Sequence, residues 1–291
     1  MTQGMVVADC SFDDILDDPG YFKELLYESK LLCFPELNLS REQNKQVCAA
    51  LGYVFDRQGD ETHARTMDRK DWPNTSNKVL VQWHLENLDH EQPPLLAGWN
   101  METFTCPKGH GRTGFIDMAK MCKKLKVDRS FEYVFIRSAT EAEQLEEQMA
   151  AGKREFYINN TENTESIFTI ATEGIVEYAP PQRYDSDTGY SPPIMDSVSP
   201  HPITGEPVLR YMVDSFHVKW LPVPDMMTEK QLLDEKLSEA IADFDNQFWW
   251  DWTVGDYLLV DLFCMQHSVL GGFTPEQRVL DVVFSTEAVS P

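Results

Sequence analysis

Apolar positions along this chain switch between a helical and a strand period, and the switches mark its elements. Phe22, Leu25 and Leu26 share one helical face behind Asp18-Pro19, an N-cap followed by proline at the first helical position. The unbroken apolar run Leu31–Phe34 reads as a short buried strand. Ser40-Arg41-Glu42-Gln43 is a capping box that opens another helix, and Gly52 is placed to end it. Residues 79–105 hold two strand-like runs separated by Gln92-Pro93-Pro94. A turn at Gly109-His110-Gly111, a short apolar strand and a helix to residue 125 follow. A charged helix over 141–150 leads into the alternating segments FYIN, SIFTIATEGIVEYA and PVLRYMV. Thr228-Glu229-Lys230-Gln231 is a further capping box, with Leu233, Leu237, Ala240, Ile241 and Phe244 on one face. Strands over 257–262 and 278–284 close the pattern.

Two stretches carry no period. Residues 56–76 are mostly polar, and residues 180–202 are rich in Pro, Asp and Ser. Both read as long loops that could close over a site, because the strand pattern resumes beyond them. Arg65, Arg69 and Arg183 are candidates there for a substrate carboxylate, and Asp60, Glu61 and Asp185 for an amine. No internal repeat is present. Many strands with helices at the start and between them predict a mixed α+β, β-rich fold, one domain over residues 1–291.

Composition narrows the partners. The 291 residues include 25 basic and 48 acidic side chains, a formal net charge of −23. That weighs against nucleic acid as a bulk partner, since neutralising phosphates needs clustered Lys and Arg. The basic run from Lys120 to Lys126 reads as a solvated helix face. No apolar run approaches the ~20 residues of a membrane span. The N-terminus turns acidic before a signal peptide could develop, so a cytoplasmic protein without a membrane partner is expected. None of the six cysteines forms a CxxC pair, which points to free thiols in a reducing compartment. Nothing in the sequence defines an oligomeric state.

The candidate chemistry starts at His84-Leu85-Glu86. On a strand, residues two apart face the same way, so an imidazole and a carboxylate would meet one point. About one such H-x-[DE] is expected by chance in a chain of this composition. The C-terminal half adds weight: Gly255-Asp256 opens an apolar strand, His267 follows it, and Arg278 lies in the next strand. Adjacent antiparallel strands would bring the last two close. Two imidazoles and one carboxylate can hold a metal from one side and leave the other open. The aromatic run Phe248, Trp249, Trp250 and Trp252 reads as core packing beside a helix end.

Five segments carry a resemblance that spans residues from about 30 to 285. LLCFPELNLSREQNKQVCAALGYV is similar to an early strand–helix segment, and WHLENL to a W-H-x-[DE] motif. GHGRTGFIDMAKMCKKL matches a glycine-rich turn with threonine, strand and helix. HPITGEPVL resembles a P-x-T-G segment, and WTVGDYLLVDLFCMQHS a W-x-x-GD strand ending in a distal histidine. In that order they resemble the taurine/2,4-dichlorophenoxyacetate dioxygenase-like family, part of the clavaminate synthase-like group. The resemblance implies a double-stranded β-helix (jelly-roll) core. It also implies Fe(II) held by His84, Glu86 and His267, with 2-oxoglutarate as cosubstrate and O2 as oxidant. Arg278 and Thr113 would bind the remote carboxylate of 2-oxoglutarate. The implied activity is hydroxylation of an unactivated C–H bond in a small molecule.

The chain departs from the family in three places. The carboxylate is Glu86 where most relatives have aspartate, a minority form that recurs among members acting on free amino acids. Val282 stands where the taurine enzyme has a second arginine for the sulfonate, and Asp261-Leu262 replaces an Asp-Asn pair. A small polar metabolite, foremost a free amino acid or derivative, is the expected substrate. Two alternatives stay open: oxidation of another small molecule (a quaternary amine, nucleoside or natural-product intermediate), or a jelly-roll that senses metal and 2-oxoglutarate without turnover.

Overall fold

Local caps set the first elements. The computed structural model describes residues 4–54, 83–86, 93–136, 139–158, 191–212, 218–221 and 227–286. After β1 (Met5–Val6), Ser11 caps α1 (Phe12–Asp17), and Asp18 accepts from the Tyr21 amide to open α2 (Pro19–Ser29). Lys30 takes left-handed backbone at φ 66° and stops α2, so the chain passes directly into the buried β2 (Leu31–Phe34). Ser40 and Gln43 cap α3 (Arg41–Leu51) reciprocally, and Gly52 closes it. Next come β3 (Tyr53–Val54), β4 (Leu96–Phe104), β5 (Thr113–Asp117), α4 (Met118–Leu125), β6 (Glu132–Phe135) and α5 (Ala139–Ala150). The remainder comprises β7 (Ile194–Asp196), β8 (Val198–Pro200), β9 (Pro207–Leu209), β10 (Val218–Trp220) and α6 (Met227–Ala242), then β11 (Phe248–Trp250), β12 (Tyr257–Asp261), β13 (Met265–Val269) and β14 (Arg278–Thr286). The result is a mixed α/β fold. No helix among the described residues is long and apolar enough to cross a membrane.

Two sheets position everything that follows. The larger runs β1-β2-β12-β4-β14-β3, and the smaller runs β11-β5-β13. Between them lies an apolar layer built from Trp99, Met101, Phe115, Trp252, Leu258, Met265, Leu280 and Val282. The outer face of the larger sheet packs on α1, α2 and α3 through Ile15, Leu26, Val47, Leu51 and Leu259. The smaller sheet's outer face packs on α4, β9 and α6 through Ile116, Met121, Leu209 and Leu237. Burial on both faces is why β2 and β12 read as continuous apolar runs without alternation. Two further small sheets, β10-β6-β7 and β8-β9, flank this core.

Several expectations need correction. Residues 194–200 belong to the stretch read as a loop, yet β7 pairs with β6 and β8 with β9. Strands of three residues carry too little period to stand out, and their pairing is decided across the fold. Helix α6 already includes Met227, so Thr228 lies inside its first turn and is not the cap. Phe244 sits beyond α6 in a 3-10 turn, 77% exposed, away from the face holding Leu233 and Leu237. The loop at 56–76, the segment SIFTIATEGIVEYA, and the candidates Arg65, Arg69, Arg183, Asp60, Glu61 and Asp185 lie outside the described residues.

Under α3 the sheet tolerates no side chain at Gly98. Asn44 Nδ2 donates to Gly98 O at 3.2 Å and to the buried Asp281 Oδ2 at 3.1 Å. A Cβ at Gly98 would collide with Tyr257 Oη, Asn44 Oδ1 and Cys48 Sγ. Gly98→Ala is therefore expected to destabilise the fold by at least about 2 kcal/mol, through overpacking and a broken buried network. A urea unfolding midpoint equal to wild type would contradict this close approach.

Candidate active site

His84 and His267 meet across a backbone bridge. The His84 amide donates to His267 O at 3.0 Å, and the His267 amide donates to His84 O at 2.9 Å. This antiparallel bridge stands outside the named strands, and Glu86 already lies in a turn, so residues 84–86 are not the extended strand expected. Leu85 between them is buried against Met212. His267 itself belongs to β13 and pairs with Phe115.

The imidazole centroids lie 4.1 Å apart. Glu86 Oε1 is 3.5 Å from His267 Nε2 and 3.8 Å from His84 Nε2, too far for good hydrogen bonds. Ligand atoms of all three converge within 4.8 Å. In their Nδ1–H tautomers the two imidazoles and the carboxylate all turn lone pairs toward one point, the arrangement a shared cation would use. Among the described residues the buried His267 Nδ1 also has no protein partner, unlike most buried polar atoms. Trp99 packs edge-on at 4.9 Å and orients the His267 ring. Two imidazoles and a carboxylate on one side form the facial donor set that suits Fe(II). The residues present fit that metal.

A second polar group lies on the same face of the smaller sheet. Thr113 and Phe115 are two apart on β5, opposite Val269 and His267 on β13, so the Thr113 hydroxyl and the His267 ring share a face. The two positions are separated by about 7 Å along the strands, the reach of a five-carbon dicarboxylate. Arg278 enters from the first residue of β14, 3% exposed. Its Nε donates to Gly111 O at 3.0 Å and its Nη2 to Thr113 Oγ1 at 2.9 Å. The Trp252 indole N–H donates to the same oxygen at 2.8 Å. Burial lowers the Arg278 pKa to about 10, with nearby Cys106 acting against that shift, so the cation persists at neutral pH. His267 and Arg278 are not on neighbouring strands as expected: β13 belongs to the smaller sheet and β14 to the larger. They face each other across the interior instead.

Other singled-out residues have different roles. His110 is exposed, and its Nδ1 lies 2.7 Å from Gly271 O, a contact that ties two loops beside Gly111. Phe248, Trp249 and Trp250 form β11 against β5 and are half-buried. Sequence reasoning missed a buried polar cluster behind the β12–β13 turn. His201 Nδ1 accepts from the amides of Ile203 (3.1 Å) and Thr204 (3.2 Å), so Nε2 carries the proton and faces Asp261 Oδ1 at 3.3 Å. With Cys264 these two also offer converging ligand atoms. However, the Lys30 ammonium lies 3.7 Å from Asp261 and 3.2 Å from Glu206, so the negative charge is already met. The cluster instead braces the turn that carries His267. Its signals in the sequence were His201 at the head of HPITGEPVL and Asp261 in the changed Asp261-Leu262 pair.

The family model described as taurine catabolism dioxygenase TauD, TfdA family matches residues 6–284. The chain belongs to that family. Its members use Fe(II), 2-oxoglutarate and O2, and this TauD/TfdA-family protein is a 2-oxoglutarate-dependent dioxygenase. Solved structures with the same fold include a taurine dioxygenase from Burkholderia xenovorans, at 15% identity and TM-score 0.60, covering 98% of this chain and 88% of that one. AAD-2, solved in complex with Mn(II) and N-oxalylglycine, is 14% identical with TM-score 0.63 and covers 100% and 96% respectively. The PvcB protein from Pseudomonas aeruginosa is 12% identical with TM-score 0.60, covering 97% and 85%. At such identities the likeness to these three is one of fold. No curated protein matches the chain.

Proposed function

We propose that this dioxygenase hydroxylates an unactivated C–H bond of a small polar metabolite, foremost a free amino acid or a derivative. The convergence of His84, Glu86 and His267 within 4.8 Å, beside a buried Arg278–Thr113 pair, carries the reading. His84, Glu86 and His267 would hold Fe(II) from one side, and Arg278 with Thr113 would bind the remote carboxylate of 2-oxoglutarate. Bound there, iron with 2-oxoglutarate and O2 supplies a two-electron oxidation: R–H, 2-oxoglutarate and O2 become R–OH, succinate and CO2. The chain's own contribution is orientation and dryness. Trp99 and Phe115 wall the His267 side, and Leu280 and Val282 continue that apolar wall along β14.

Two features support the substrate class. Glu86 is the minority carboxylate associated with amino-acid hydroxylation in the resemblance above. Val282 is buried on the inner face of β14 opposite Trp99, where it offers an anion no hydrogen bond. An alkylsulfonate such as taurine is therefore not the substrate we propose. We also read residues 1–291 as one domain whose two facing sheets are the halves of a double-stranded β-helix. All six cysteines are free thiols, which supports a cytoplasmic setting.

The test is succinate formation from 2-oxoglutarate by purified protein with Fe(II) and O2, offered pools of amino acids, quaternary amines, nucleosides and alkylsulfonates. Stimulation by an amino-acid pool, with product heavier by one oxygen atom, is the expected result. Stimulation by taurine instead would overturn the substrate class.

A further inference from the structure

We propose that Trp252 is a positioning residue for the cosubstrate: its indole N–H makes the Thr113 hydroxyl an obligate donor toward the remote carboxylate. The inference rests on the reading that Thr113 and Arg278 bind 2-oxoglutarate. A threonine hydroxyl has one hydrogen and two acceptor lone pairs. Trp252 Nε1 at 2.8 Å and Arg278 Nη2 at 2.9 Å both reach Thr113 Oγ1, and neither nitrogen can accept. Both lone pairs are therefore occupied, and only the O–H is left to bond.

Among the described residues the Thr113 hydroxyl has no acceptor, although the side chain is fully buried. An unspent buried donor of this kind is uncommon and fits an acceptor beyond the described residues, such as a bound carboxylate. β-Branching stiffens Thr113 about χ1, so the oxygen is placed by its strand. Two donors arriving on the lone pairs then direct the hydrogen away from both. A carboxylate, which only accepts, is the complementary group. Trp252 contributes a second constraint, since its ring lies 5.9 Å from the Arg278 guanidinium carbon and walls that side chain. The W-x-x-GD segment thus has a job in cosubstrate binding that neither its spacing nor its apolar character discloses.

Replacing the indole by a benzene ring in Trp252→Phe removes the N–H and keeps most of the packing. One lone pair of Thr113 is then open and the hydroxyl hydrogen is free to rotate. Calorimetric titration of the Mn(II)-loaded protein with N-oxalylglycine should show affinity reduced roughly 3- to 10-fold, the value of one buried hydrogen bond. The isosteric Thr113→Val should lose a similar amount, and the double variant should bind no worse than Thr113→Val alone. A 2-oxo acid lacking the remote carboxylate, 2-oxobutanoate, should bind wild type and Trp252→Phe equally. In turnover the loss should fall on KM for 2-oxoglutarate more than on kcat. Thermal unfolding midpoints of all variants are measured alongside.

Wild-type affinity in Trp252→Phe, additive losses in the double variant, or an equal loss for 2-oxobutanoate would each overturn the positioning role. Those results leave the cosubstrate reading intact if Thr113→Val still weakens N-oxalylglycine. Failure of the wild type to bind N-oxalylglycine with Mn(II) would instead sink the cosubstrate reading itself.

Discussion

Succinate formation by the His267→Ala variant is expected to fall more than about 100-fold, because even outer partners of metal ligands are worth 10- to 100-fold. The substitution leaves His84 and Glu86 as two donors on a half-exposed edge, short of the facial set. The fold should survive. His84 and His267 are joined through main-chain hydrogen bonds, and these do not need the ring. Anaerobic titration with Fe(II) or Mn(II) checks the cause: binding should weaken in parallel with activity. Wild-type metal affinity in the variant would show that the ring acts in some other way.

Arg278→Met is expected to separate binding from stability. Truncating one side of a buried, hydrogen-bonded charge pair costs about 2–5 kcal/mol, so 2-oxoglutarate affinity should drop roughly 30- to several-thousand-fold. The apo fold should lose little. Burial lowers the folded-state pKa of this base from its ordinary range to about 10, so the folded protein holds that proton less tightly than the unfolded chain. At neutral pH both states are protonated and the burial penalty is fully present. It fades only as pH rises through about 10 toward the ordinary guanidinium range, where the folded state releases the proton first. Methionine removes that penalty, which offsets the lost contacts to Gly111 and Thr113. The thermal midpoint without cosubstrate should therefore stay within a few degrees of wild type. A large fall in the midpoint would assign Arg278 a structural role instead.

What was legible from sequence was local. The Asp18-Pro19 start of α2, the Ser40–Gln43 box of α3, and the apolar runs of β2 and β12 each carry a cause within a few residues. Caps satisfy nearby amides, and doubly covered strands are apolar throughout. The residues of the candidate site were legible as types and spacings, and the family match covers the segments that hold them. The short strands β7 and β8 were not, because three residues show no period and exist through their partners.

The chain's own letters thus determined its capped helices, its covered strands and the stock of imidazole, carboxylate and guanidinium groups. Only tertiary structure decided how these meet: a two-residue backbone bridge brings His84 to His267, and Arg278 reaches Thr113 from the opposite sheet. It also joined Trp252 to that threonine, and Lys30 to His201 through Asp261. The physical reason is one of range. Capping and periodicity act over one helical turn or strand, whereas hydrogen bonds between distant segments depend on how whole sheets stack and leave no local pattern to read.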